Sequence, residues 1–170
     1  LGDGAVKLVE RAMGSNYDSS LFDSFFSRYL EIYEQRRLEC TKEFKDVTST
    51  LLELKKSYKL AVISNKPHRD TCPIVDYYFS GIFDYVSGKK DGVERKPHPE
   101  SMIEAMEYFN VNAVECVYIG DSHVDYEFAA NSGVDCCLFD YGYESKEKFY
   151  SLTNCVKLSE FNKLLDVYKN

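Results

Sequence analysis

Three short strings hold most of the side chains in this sequence that could do chemistry together. Gly120-Asp121-Ser122-His123-Val124-Asp125 sets two carboxylates four residues apart, directly after the apolar run Val117-Tyr118-Ile119. Across a strand-to-helix turn that spacing lets both face one pocket, and hard oxygen donors of this kind suit Mg2+. A glycine at the strand tip lets the backbone turn tightly there. Ser64-Asn65-Lys66-Pro67 follows a second apolar run and offers a hydroxyl, an amide and an ammonium, all donors suited to an anion at the head of a helix. In Arg95-Lys96-Pro97-His98-Pro99-Glu100, the proline restricts the backbone of Lys96, whose ammonium can pair with phosphate oxygens and carboxylates. Each string also has a plain structural reading. These are a capped turn at 64–67, a solvated lysine in a helix-start loop, and an Asp N-cap followed by an exposed Asp. His98 reads as a capping or surface histidine.

The elements that must position these strings alternate along the chain. Apolar runs at 59–64, 83–86, 116–119 and 136–139 read as strands, and helical patterns fall at 47–56, 69–79, 99–109, 124–131 and 159–168. Continuous rather than alternating apolar runs, separated by helices, predict a parallel sheet covered on both faces, hence an α/β fold. Ligands in such sheets bind beyond the carboxyl ends of the strands, which is where the three strings lie. Before residue 45 the pattern changes to two helices, 5–13 and 21–38, around Gly14-Ser15-Asn16. The second carries Leu21, Phe25, Tyr29, Ile32 and Tyr33 as its apolar stripe. The expected domains are therefore a small helical hairpin at 1–44 and an α/β core at 45–170.

Composition narrows the function classes. The chain has 170 residues, with 21 Lys and Arg against 28 Asp and Glu and a net charge of -7, which argues against a nucleic-acid partner. No segment has the roughly 18 apolar residues needed to span a bilayer, and no basic and apolar leader opens the chain, so a cytoplasmic protein is expected. Of the six cysteines, Cys116, Cys136 and Cys137 sit in apolar runs, where thiols act as small hydrophobes. Without a C-x-x-C, and with His68, His98 and His123 far apart, the spacing does not make a zinc site. The 14 tyrosines and 11 phenylalanines leave aromatic surface for a partner.

Taken in order at successive strand ends, Ser64, Lys96 and Asp121 with Asp125 resemble the second, third and fourth motifs of the haloacid dehalogenase-like superfamily. Ser64-Asn65-Lys66-Pro67, Lys96-Pro97-His98-Pro99-Glu100, Gly120-Asp121-Ser122 and Tyr141-Gly142-Tyr143 look most like its phosphoglycolate phosphatase-like branch. The resemblance implies a Rossmann-like core, a helical cap to which the segment before Asp46 belongs, and Mg2+-dependent hydrolysis of a small phosphorylated metabolite through an aspartyl-phosphate. It further implies that Asp121 ligates the metal and Asp125 supports it, and that Ser64 and Lys96 bind the phosphoryl group, with Asn65 and Lys66 close enough to touch phosphate or substrate. The family's first motif, D-x-D-x-T, supplies the nucleophile, and no D-x-D occurs in these 170 residues. The Leu1-Gly2-Asp3-Gly4 string lacks the paired Asp, the Thr and a strand to carry them. Together with a first residue that is not Met, this leads to the expectation that the motif and its strand lie upstream, and that the chain as written is inactive. In the resembled fold that strand is central, so a break is expected between the strand ending at Ser64 and the one ending at Ile119. A non-catalytic phosphate-binding or regulatory domain on the same fold is the alternative, and an upstream D-x-D-x-T discriminates the two.

Overall fold

The computed structural model describes residues 5–39, 41–142 and 145–168; the Leu1-Gly2-Asp3-Gly4 string and Tyr143 lie outside them. The chain forms two compact units, Leu1–Lys42 and Glu43–Asn170.

In the first unit, helices α1 (Ala5–Met13) and α2 (Ser19–Arg36) are joined by a 3-10 turn over Gly14–Asn16 and pack on each other. Asp18 caps α2, its carboxylate accepting the Ser20 amide at 2.8 Å, which satisfies an otherwise orphaned helix donor. The apolar row that turns inward differs from the expected one. Leu21, Phe25 and Ile32 are exposed, whereas Phe22, Phe26, Tyr29 and Tyr33 are half-buried and stack in sequence at 5.5 to 6.3 Å between ring centroids. Apolar residues occupy adjacent rows of this helix, and periodicity alone does not choose between them.

The second unit runs α3 (Val47–Leu54), β1 (Ala61–Pro67), α4 (His68–Phe79), β2 (Tyr85–Lys89), α5 (Glu100–Phe109), β3 (Val117–Gly120), α6 (His123–Ser132), β4 (Asp135–Phe139), α7 (Lys146–Ser151), β5 (Val156–Leu158) and α8 (Leu164–Tyr168). Its strands are parallel and flanked by helices, as the apolar runs required. Alternation along β4 shows how both faces are covered. Cys136 and Leu138 pack with α5, α6 and α7 through Met102, Phe128 and Phe149. Cys137 and Phe139 pack on the opposite side with Leu54 of α3 and Leu164 of α8.

Several boundaries move. Strand β2 is displaced from the expected 83–86 because Lys89 pairs with Pro67 beyond an irregularity, so β1 also extends past Ser64. Cys116 precedes β3 rather than lying in it, and its thiol donates to the Asn112 carbonyl at 3.4 Å. The expected helix at 159–168 is a 3-10 turn, Phe161–Lys163, followed by the short α8, while α7 and β5 are too brief to show a period.

Instead of one sheet there are two, β1-β2 and β3-β4-β5. The expected break between β1 and β3 is present: the described strands hold no ladder between them. A side chain reaches across, the Tyr118 hydroxyl of β3 lying 3.2 Å from the Ile63 carbonyl of β1.

Candidate active site

The carboxyl ends of β1 and β3 bring the three strings together, through Asn65, Lys96 and Asp125. Lys96 extends from the loop before α5, and its side chain is only 11% exposed. Its ammonium donates to Asp125 Oδ1 at 2.8 Å and to the Tyr118 hydroxyl at 2.7 Å. The loop is held from β1: Asn65 accepts the Lys96 amide at 2.8 Å and donates to the Lys96 carbonyl at 3.0 Å, beside a cis Lys96-Pro97 peptide. Both polar ends of the Asn65 amide are thus engaged with backbone. A second tie comes from α6, where Asn131 donates to the Pro97 carbonyl at 2.9 Å.

The acidic pair is built by the strand-to-helix turn. Ser122 caps α6 and donates to Asp125 Oδ2 at 2.7 Å, and the Asp121 amide donates to the same oxygen at 3.1 Å. This doubles the use of the turn: the serine that starts the helix also fixes the carboxylate one turn in. Glycines make the approach possible. A Cβ on Gly120 would stand 2.5 Å from Asp125 Cγ, and one on Gly142 would stand 2.6 Å from Asp121 Oδ2.

Electrostatics separates the two acids. Burial pushes the Asp125 carboxyl up, but the Lys96 charge and the hydrogen bonds from Lys96, Ser122 and the Asp121 amide outweigh it and hold it below the usual carboxylate range. Asp121 is raised, first by burial and then by the charge on Asp125. A carboxylate kept ionised under its neighbour's repulsion favours a cation. Among the described residues no group of three His, Cys, Asp or Glu side chains converges on a metal site. A pair fits Mg2+ nonetheless, since this ion is held through one or two carboxylates together with water and phosphate oxygens. Both oxygens of Asp125 already accept protein donors, from Lys96 and Tyr118 on one and from Ser122 and the Asp121 amide on the other.

Asp121→Asn is accordingly expected to raise the melting temperature near neutral pH, where it removes one of two repelling charges, and to lower Mg2+ affinity by at least about 100-fold. The stabilisation should shrink as the pH falls through the raised Asp121 range, where the wild-type carboxyl takes up a proton. Parallel melts at pH 7 and pH 5 and a Mg2+ titration check both halves.

Ser64 and Lys66 stand differently. Ser64 Oγ accepts the Lys66 amide at 3.1 Å, so it shapes the turn while its neighbours Ile63 and Asn65 touch Tyr118 and Lys96. The Lys66 carbonyl accepts the Thr71 hydroxyl at 3.2 Å, and its side chain is half-buried. His98 is exposed, its Nδ1 accepting the Glu100 amide at 3.4 Å. Tyr118, which bonds the Lys96 ammonium, is the side chain that pattern reading passes over, since it sits inside an apolar run. The available signal is that a buried tyrosine must find a partner for its hydroxyl.

Comparison with known proteins sets this site in context. A family described as haloacid dehalogenase-like hydrolase matches residues 6–139. A phosphoglycolate phosphatase of Pseudomonas syringae is 29% identical over 97% of this chain and 63% of its own length. Another, from Colwellia psychrerythraea, is 31% identical over 97% of this chain and 76% of its own. The chain thus spans less than two thirds of the Pseudomonas relative. A solved structure of a predicted phosphoglycolate phosphatase from Haemophilus somnus superposes with a TM-score of 0.87 at 23% identity, covering 99% of this chain and 79% of that one, and shares the fold.

Proposed function

Because the chain belongs to the haloacid dehalogenase-like hydrolase family, we propose that it carries the phosphate- and metal-binding part of a phosphate-monoester hydrolase of phosphoglycolate phosphatase type. The observation that supports this most is the 2.8 Å Lys96–Asp125 pair, closed in by β1 and set against Asp121. Lys96 would neutralise charge on the phosphoryl group, and Ser64 would donate to one of its oxygens. Asn65 would hold the lysine loop, and Lys66 would face the rest of a small phosphorylated metabolite. Asp121 would hold Mg2+, with Asp125 fixing it from behind. When bound, the ion would draw electron density from the phosphoryl oxygens. The nucleophile would be an aspartate of a D-x-D-x-T string outside these residues, and residues 1–44 would be part of a cap that shapes substrate choice. The free thiols at Cys72, Cys116, Cys136, Cys137 and Cys155 fit a reducing, cytoplasmic setting.

The test is turnover of phosphoglycolate and p-nitrophenyl phosphate. The purified 170-residue chain should show none, since it holds no D-x-D string to supply the nucleophilic aspartate. A chain extended into its parent reading frame should show Mg2+-dependent turnover. Robust turnover by the 170 residues alone would overturn the assignment of the nucleophile. The lack of D-x-D favours one other reading, a non-catalytic phosphate-binding domain. An extended chain that still lacks the motif, and binds phosphate without hydrolysis, would establish it.

A further inference from the structure

We propose that Tyr118 is a positioning residue for Lys96, tying its ammonium to both halves of the split sheet so that a single N–H is left to meet a phosphoryl oxygen. The proposal rests on the reading of Lys96 as the phosphate-neutralising group. It starts from proton counting. A lysine ammonium carries three protons and accepts nothing. Here one goes to Asp125 Oδ1 at 2.8 Å and another to the Tyr118 oxygen at 2.7 Å. Two tethers from fixed elements set the direction of the third N–H, which an ammonium on a single tether cannot do.

The tyrosine is itself constrained. Its hydroxyl proton has two acceptors in reach, the Ile63 carbonyl at 3.2 Å and Asp125 Oδ1 at 3.3 Å. Its ring is buried and meets Phe128 edge-on at 4.8 Å between centroids. The Lys96 nitrogen also lies 5.8 Å from the Phe128 ring centroid, within the range at which an aromatic ring attracts a cation. Reaching from β3 to the backbone of β1, this phenol makes the lysine's position depend on the relative placement of strands that share no ladder.

Tyr118→Phe keeps the ring and removes the tether. Nitrogen-15 NMR of the lysine side chains in the full 170-residue chain should show an ordered Lys96 ammonium in the wild type and a disordered one in the variant. An ammonium equally ordered in both would overturn the proposal. In a phosphate titration with Mg2+ present, Tyr118→Phe should weaken inorganic phosphate by about tenfold, the scale of one hydrogen bond to a charged group. In a Lys96→Met background the same change should have no further effect. A loss of equal size in that background would mean that the phenol acts on the fold in general, and would also overturn the proposal. If Lys96 loses order in the variant but the wild type binds no phosphate, the positioning role stands and the reading of the site as a phosphate site fails.

Discussion

Lys96→Ala is expected to destabilise the fold by about 3–5 kcal/mol, because it strands the Asp125 carboxylate in the interior with the ammonium bonded to it removed. The Asp125 side chain is 8% exposed and has no second ammonium or guanidinium among its partners. The pH dependence identifies the cause. In the wild type, Asp125 titrates below the usual carboxylate range, so its contribution to stability is present above the unfolded pKa and is lost as the pH falls through the folded one. In the variant, burial without Lys96 places the folded pKa above the unfolded one. Ionised Asp125 then opposes folding at pH 7, and protonation relieves it as the pH drops. Urea denaturation at pH 7 and pH 5 should show the gap between the two proteins narrowing at the lower value. A constant gap would show that Lys96 acts through packing of its aliphatic stem.

Gly120→Ala should damage the site severely. The new Cβ would crowd Asp125 Cβ and stand 2.5 Å from Cγ and 2.8 Å from Oδ2. No flexible side-chain end is available to yield, because these atoms belong to a carboxylate pinned by Ser122, Lys96 and the Asp121 amide. Overpacking of this kind costs about 1–3 kcal/mol, and turning Asp125 away from Lys96 adds the cost of an opened buried pair. Thermal melting should register a large loss, and phosphate binding should fall with it. Retention of both would mean that the helix start of α6 shifts as a body.

Much of this site could be read from one chain because its residues are placed by strong local rules. Gly120, Asp121, Ser122 and Asp125 follow one another across a single turn, and the apolar run before them marks the strand that presents them. Lys96 is announced by the prolines around it. Tyr118 and the backbone role of Asn65 depend on distant partners instead. Ile63 and Lys96 are far from them in sequence, and no periodicity encodes which carbonyl a phenol will find. The same holds for β2, whose Gly88 and Lys89 have little strand preference of their own and are extended by pairing with β1. Segments as short as α7 and β5 carry too few residues for a period, and in α2 neighbouring apolar rows compete on equal terms.

The division of the sheet also bears on the order in which the molecule assembles. The β1-β2 ladder closes within residues 61–89 and the β3-β4-β5 ladder within 117–158, so each can form from neighbouring chain with little loop entropy to overcome. Tyr118 to Ile63, which joins the two ladders at the site, spans a longer stretch of chain, and Asn65 ties β1 to the Lys96 loop; both contacts rest on side chains. They belong to the last step of folding and to the first step of local opening. Side chains rather than a ladder thus close the seam between the two sheets, and amide protons of Asn65 and Lys96 are expected to exchange with solvent before those of β4.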